Sequence, residues 1–280
     1  MQPYVSIVIA ASNEGYGGNF LERMQGAVNS ILSGAMLAAA DIELVIVDWG
    51  TPPDRLGMET ALNYTQGNAP VRVIKVPRAL VKSIPNPRGI KFFEPWAKSV
   101  GVRRATGEFI LTTNADSIHH RKLFEIYATR TLGKGYFYRV NRVDCRGGDP
   151  YAINRANGTF KIDDPWENIS LSDVPYSPDM LHFNASGEFI MMSREAYHGI
   201  HGWPELDYWG SVDGQVVWLA HEYGLKQHVF QYPLYHEDHA RETGADKWNP
   251  GWTDGKPFAT KNGDGWGFRD HKFEEIIVRA

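Results

Sequence analysis

Apolar and polar residues alternate along the chain in blocks that predict a strand–helix–strand order. Val5-Ser6-Ile7-Val8-Ile9-Ala10-Ala11 is a β-branched run that ends in the polar loop Ser12-Asn13-Glu14-Gly15, as a buried central strand would. Leu21, Met24, Val28, Ile31, Leu32 and Ala35 then recur at three- and four-residue steps, which predicts an amphipathic helix. Glu43-Leu44-Val45-Ile46-Val47-Asp48 is a second strand, and Val71 to Val76 a third, stopped by Pro77. A strand, a helix and a second strand make a parallel crossover the default. Residues 78–93 are basic and Pro-rich and predict a loop, where Lys82, Arg88 and Lys91 are either solvated or in reach of phosphate. Pro95 suits the first turn of a helix whose buried face is Ala97, Val100, Gly101 and Ala105, with Gly101 permitting close approach to the sheet. Gly107 ends that helix. Phe109 to Leu111 follows as a short buried strand with the polar tip Thr112-Thr113-Asn114-Ala115-Asp116.

The second half is less regular. The pattern predicts a helix over 121–131, a strand over 135–140, a long polar excursion over 141–186 and a strand over 188–192. Ser193 caps a further helix, and Gly202-Trp203-Pro204-Glu205 reads as a turn with an exposed aromatic. A helix from Val212 to Tyr223 carries Asp213 in its first turn, and Lys226 to Phe230 is predicted as the last strand. Beyond 240, Trp248, Trp252 and Trp266 alternate with Gly, Asn, Asp and Pro. That pattern suits a lid or a tail wrapped on the body.

Three of the early strands end in acidic tips: Glu14 beyond the first, Asp48, and Asp116. In an open α/β sheet the ligand crevice lies beyond the carboxyl ends of the strands. Asp116 could cap a following helix, or hold a hard divalent cation and through it a diphosphate. Gly15, Gly17 and Gly18 lack the spacing of a dinucleotide fingerprint. Tyr235-His236-Glu237-Asp238-His239 packs two imidazoles and two carboxylates into five residues, a ligand set for Mg²⁺, Mn²⁺ or Zn²⁺.

Composition narrows the class. The chain has 280 residues, 42% hydrophobic and 22% charged, with a net charge of −4 and no basic block, so a nucleic-acid surface is not indicated. Cys145 is the only cysteine, which leaves no internal disulfide and favours a reducing compartment. Neither a transmembrane run nor a signal peptide is visible. The expectation is a cytoplasmic protein, with a peripheral position at a membrane left open.

The order of these elements over residues 4–240 resembles the nucleotide-sugar-dependent glycosyltransferases of the GT-A fold, specifically the family 2 group. The carrying residues are the first strand with its Ala10-Ala11-Ser12-Asn13-Glu14 turn, Asp48, the run Lys98 to Ile110, Asn114-Ala115-Asp116, Gly187 to Arg194, Gly202 to Glu205, Val212-Asp213 and Tyr235 to His239. The resemblance implies a Rossmann-like, mostly parallel α/β sheet flanked by helices, with an aromatic C-terminal loop or lid. It implies a nucleotide-binding half over 1–117, an acceptor half over 118–240, and 241–280 as lid or tail of the same domain.

The resemblance also implies roles. Ala10, Ala11, Asn13, Glu14, Asp48, Lys98, Asn114, Ala115 and Asp116 would meet the nucleotide. Asp116 with His236 or His239 would hold Mn²⁺ or Mg²⁺. Asp213 would be the catalytic base of an inverting transfer, and Glu188, Trp203, Glu205 and Trp209 would contact the acceptor. The expected partners are a nucleotide-sugar donor, UDP-linked on base rates, and a glycan or other hydroxyl acceptor. The sequence departs from the family at Asn114, where the first acid of D-x-D is expected, at Ser99, which is often Asn, and at Val212, where Glu precedes the base. Those departures motivate a second reading, a non-catalytic nucleotide- or carbohydrate-binding protein of the same fold.

Overall fold

The structure, a computed structural model, describes residues 2–87, 89–145, 181–183, 187–207, 212–237, 239, 252–253, 256–257 and 260–279. In chain order the elements are β1 Val5–Ala11, α1 Phe20–Ala38, β2 Ile42–Trp49, α2 Met58–Ala61, β3 Val71–Val76, α3 Arg78–Ser83, α4 Glu94–Arg104, β4 Phe109–Thr113, β5 Ser117–His119, α5 Arg121–Thr129 and β6 Tyr136–Cys145. They continue with β7 Ile190–Ser193, α6 Arg194–Gly199, α7 Val212–Glu222, β8 Lys226–Glu237, β9 Trp252–Thr253, β10 Lys256–Pro257 and β11 Glu274–Arg279.

Nine strands form one sheet in the order β11-β3-β2-β1-β4-β7-β6-β8-β5. The strands β3, β2, β1 and β4 are mutually parallel, whereas β11, β7 and β5 run antiparallel to their neighbours. Successive side chains of a strand point to opposite faces, and both faces here are covered. Val5, Ile7 and Ile9 of β1 and Leu44 and Ile46 of β2 enter one core with Met24, Val28 and Ile31 of α1 and Leu123 and Phe124 of α5. Val8 of β1 and Val45 and Val47 of β2 enter the other, with Ala97 and Val100 of α4, Tyr197 of α6 and Val216 of α7. A Cβ on Gly101 would collide with Val8 and come within 3.0 Å of Val47, so glycine there sets how closely α4 lies on the sheet.

Two expectations need correction, and the capping alternative for Asp116 falls away. Residues 78–83 are helical, not loop: Arg-Ala-Leu-Val-Lys favours helix, and Leu80 and Val81 pack on the second core. Asp116 caps no helix, because β5 follows it directly and α5 is capped by His120, whose Nδ1 accepts from Lys122 N at 3.1 Å. The last strand is not 226–230, since β8 continues to Glu237 and β11 adds an antiparallel edge beside β3.

The C-terminal segment is bound by two arginines of α4. Arg104 donates to the carbonyls of Gly267, Phe268 and His271 at 2.8, 3.0 and 2.8 Å, and its guanidinium lies over the Phe273 ring. Arg103 donates to the carbonyls of Trp266 and Asp264 and lies 3.9 Å from the centre of the Trp266 ring. Trp266 is 4% exposed, so this part of the C-terminal segment wraps on the body. A Cβ on Gly267 (φ +62) would sit 2.7 Å from Ser99 O, which requires glycine where the segment crosses α4. Among the described residues no helix is long and apolar enough to cross a membrane.

Hydrogen bonds to charged groups contribute about 1.5–3 kcal/mol each net of exchange with water, less where the group is partly exposed. Arg104→Ala is therefore expected to lower stability to urea by about 2–3 kcal/mol. Arg104→Lys should recover only part of this, because one ammonium cannot span the fork of carbonyls. Full recovery by lysine would contradict this account of the clamp.

Candidate active site

The common edge of the acidic tips follows from strand register. Ala11 of β1 pairs with Asp48 of β2, and Ile9 pairs with Thr113 of β4, so all three tips lie at the carboxyl edge of the parallel strands. Asp48 is 3% exposed. Its Oδ2 accepts from Met58 N at 3.1 Å, and its Oδ1 is buried without a well-formed hydrogen bond among the described residues. Burial raises its pKa. The carboxylate lines a cleft of about 410 Å³ with Thr51, Arg55, Lys75 and Arg78, closed on one side by Lys272 and Phe273 of the C-terminal segment. Lys75 is paired with Glu59 at 2.6 Å and Arg78 with Glu14 at 2.5 Å. Asn13 ties this corner together: its N–H donates to Thr51 Oγ1 at 3.0 Å and its Nδ2 to Leu56 O at 2.9 Å. Ala10, Ala11 and Ala115 are buried backbone positions beside these tips.

The second cluster brings together residues more than a hundred positions apart. β5 pairs antiparallel with the end of β8, with Ser117 opposite His236, and Glu237 N donates to Asp116 O at 3.0 Å. That ladder sets His236 Nε2 3.8 Å and His239 Nε2 3.3 Å from Asp116 Oδ2. One ligand atom from each residue lies within 4.8 Å of the others, as a metal site requires. Asp116 Oδ1 is buried with no hydrogen-bond partner among the described residues. Burial alone would raise the Asp116 pKa, but the His239 hydrogen bond, the charges of His236 and His239, and Arg23 more than offset it and hold it low. A carboxylate kept ionised beside two imidazoles, with an oxygen to spare, fits a divalent cation. Sequence reasoning left open which histidine joins Asp116, and here both do.

Arg23 was not singled out from the sequence. It is 2% exposed among Phe20, Met24 and Ala27 of α1, and donates to the carbonyls of Tyr16, Gly17 and Gly18. It thereby pins the glycine loop whose Tyr16 ring stands 5.2 Å from that of His239. The available signal was an arginine on an otherwise apolar helix face.

The third cluster gathers Asn114 after β4, Gly187 before β7 and Asp213 in the first turn of α7. Asp213 Oδ2 accepts from Gly187 N at 3.1 Å and Oδ1 from Gly214 N at 2.9 Å. Burial raises its pKa and Glu188 adds to the rise, while Arg139 and Lys98 hold it back. Glu188 is itself paired with Arg142 at 2.6 Å. Lys98 donates to Asn114 Oδ1 at 2.7 Å and to Gly187 O at 2.6 Å, and pairs with Glu94 at 2.5 Å.

Several residues expected at ligands are engaged by protein groups here. Lys98 is 1% exposed, donates to Asn114 and Gly187 and is paired with Glu94, so its ammonium is engaged by protein groups. Trp203, expected to be exposed, is 1% exposed: its ring lies under the Lys98 ammonium, 4.4 Å from centre to Nζ. Glu205 Oε1 accepts from Gly267 N at 2.6 Å and its own N–H donates to Asn262 Oδ1 at 2.8 Å, so it fastens the C-terminal segment to the 202–205 turn. Lys82 and Lys91 are exposed. Trp209, Asp238, Trp248 and Arg88 lie outside the described residues.

No protein-family model matches the sequence, and comparison with curated proteins finds no match. Among solved structures, S. aureus TarS 1–349 in complex with UDP-GlcNAc aligns at TM-score 0.54 and 13% identity, covering 85% of this chain and 60% of that one. S. aureus TarS 1–349 alone aligns at TM-score 0.52 and 12% identity, over 84% of this chain and 60% of that one. The mannosyltransferase PcManGT from Pyrobaculum calidifontis, with GDP-Man and Mn²⁺, aligns at 0.48 and 16% identity, over 89% of this chain and 60% of that one. The chain thus spans about 60% of the length of these structures. The likeness to TarS shows the fold: a mixed α/β sheet of the GT-A type, as the sequence resemblance implied.

Burial pushes the Glu205 pKa up to about 7, and the bond from Gly267 N only partly offsets it. A folded pKa above the unfolded one means stability that is full below about pH 4.5 and lost as pH rises through about 7. Between pH 5 and 8 the wild type should lose about 2 kcal/mol more than Glu205→Gln, which keeps the acceptor without the charge. Equal losses of unfolding free energy in wild type and Glu205→Gln, from urea titrations at the two pH values, would refute the assignment.

Proposed function

We propose that the protein is a metal-dependent glycosyltransferase. It transfers a sugar from a nucleotide-sugar donor, UDP-linked, to a hydroxyl of a glycan or other acceptor, with inversion. The observation that carries this reading is the Asp116–His236–His239 cluster at the carboxyl edge of a GT-A type sheet, the edge that also carries the Asp48 cleft. The cleft suits a nucleoside: a buried carboxylate oxygen without a well-formed bond accepts a base or ribose donor, and apolar Val76 and Phe273 flank it.

Asp116, His236 and His239 would hold the cation, and two imidazole nitrogens with one carboxylate suit Mn²⁺ better than Mg²⁺, which prefers oxygen. When bound, the cation supplies charge to the leaving diphosphate. The remaining work falls to this chain's own groups. The acceptor oxygen attacks the anomeric carbon as the bond to the diphosphate breaks, and Asp213 takes the hydroxyl proton. Its two backbone donors fix the carboxylate's orientation. Its raised pKa brings its basicity nearer to neutral pH, where a general base works best.

The second reading, a non-catalytic binding protein, draws on Asn114, whose oxygen is engaged by Lys98 and which brings no charge to a cation. Two experiments separate the readings. In calorimetric titrations with UDP, GDP and CMP, one nucleotide should bind tightly only with Mn²⁺, and Asp116→Ala should abolish that binding; metal-independent binding that survives the mutation favours the second reading. Asp213→Asn should keep nucleotide affinity and lose at least about 100-fold in turnover. Retained turnover would remove Asp213 from the chemistry.

A further inference from the structure

Lys98 is a charged side chain held out of water, and such a residue is costly unless fully partnered. Its partners come from four places. Glu94 is one turn earlier on α4, Asn114 is at the tip of β4, Gly187 leads into β7, and Trp203 is in the turn after α6. The Gly187 peptide is used on both sides: its carbonyl accepts from Lys98, and its N–H donates to Asp213 Oδ2. The three groups are neighbours, since a Cβ on Gly187 would lie 3.6 Å from Asn114 Nδ2 and 3.8 Å from Asp213 Oδ2.

We propose that Lys98 is a positioning residue that joins the donor and acceptor sides of the site, holding Asn114 directly and Asp213 through the Gly187 peptide. The proposal rests on the reading of Asp213 as base. It gives Asn114 a role different from a metal ligand. With its oxygen taken by Lys98, Asn114 presents its NH₂ group, a hydrogen-bond donor, toward the Gly187–Asp213 corner. It also explains the departure from two acids at 114–116. Glu94, Glu188 and Asp213 already face Lys98, Arg139 and Arg142 here, three carboxylates against three cations. A carboxylate at 114 would leave the group with an unbalanced buried charge.

The test compares wild type with Lys98→Met and with the double variant Glu94→Gln/Lys98→Met. The double variant removes both members of the pair, so no carboxylate is left unpaired to destabilise the protein. Three quantities are measured: kcat and KM for hydrolysis of UDP-GlcNAc or GDP-mannose between pH 5 and 9, UDP and GDP affinity with Mn²⁺, and the Asp213 carboxyl titration by ¹³C NMR. The groups facing Asp213 that contribute to its titration are Glu188, Arg139, Lys98 and Glu94.

The proposal expects kcat to fall about 100-fold with nucleotide affinity within about threefold of wild type. In Lys98→Met the acid limb of kcat and the Asp213 titration should both move upward, by about half a pH unit or more, because a cation has been lost; in the double variant, where the Glu94 charge goes as well, both should move less. Lys98 is instead a donor-binding or merely structural residue if nucleotide affinity falls in step with kcat, or if the Asp213 titration of Lys98→Met stays put. The NMR readout does not depend on either nucleotide sugar being hydrolysed, the fall in kcat at unchanged nucleotide affinity in the charge-balanced double variant separates positioning from charge alone, and Asp213→Asn tests the base reading separately.

Discussion

The site depends on a short backbone ladder. Three residues of β5 pair with the end of β8, and this alone brings His236 across more than a hundred positions to Asp116. Side-chain attraction could not do this unaided, because ordering the long connection costs entropy that a single ion pair does not offset. Once the ladder forms, the Asp116 carboxylate and the two imidazoles share one small volume. The resulting field keeps Asp116 ionised despite burial. The glycine loop pinned by Arg23 then closes over His239 through Tyr16.

A second constraint acts from the far edge. The strands β1, β2 and β3 bring the Asp48 cleft to the same sheet edge, but its wall is completed by Lys272 and Phe273, which lie just before β11. Arg103 and Arg104 hold that segment by its backbone carbonyls, and Glu205 holds it by a backbone N–H. Recognition through the backbone explains why this segment can pack tightly with little apolar periodicity of its own. It also makes α4 the element that serves everything: Gly101 seats it on the sheet, Lys98 faces the Gly187–Asp213 corner, and its last turn clamps the C-terminal segment.

Much of the fold was legible because the parallel strands are buried on both faces and read as continuous β-branched runs. The common edge of Glu14, Asp48 and Asp116 could be inferred from such runs, and the register bears it out. Asp116 and the histidine region were legible as chemistry, and their meeting was expected from the family resemblance alone, since three-residue β5 has no periodicity to detect. Trp203 was misjudged for a related reason. A Gly-Trp-Pro-Glu turn looks solvent-facing in sequence, and only the buried ammonium of Lys98 shows why the indole is wanted inside. Glu205 and the α4 arginines act on backbone atoms of a distant segment, and such bonds leave no mark in a side-chain pattern.

The central claim is that one carboxylate and two imidazoles of this chain bind a divalent cation together. Pulsed electron paramagnetic resonance of the Mn²⁺-loaded protein with UDP tests it directly. The account predicts nitrogen couplings from two histidines in the wild type and from one in His236→Ala or in His239→Ala. Mn²⁺ bound without any imidazole coupling, or couplings unchanged by both substitutions, would contradict it.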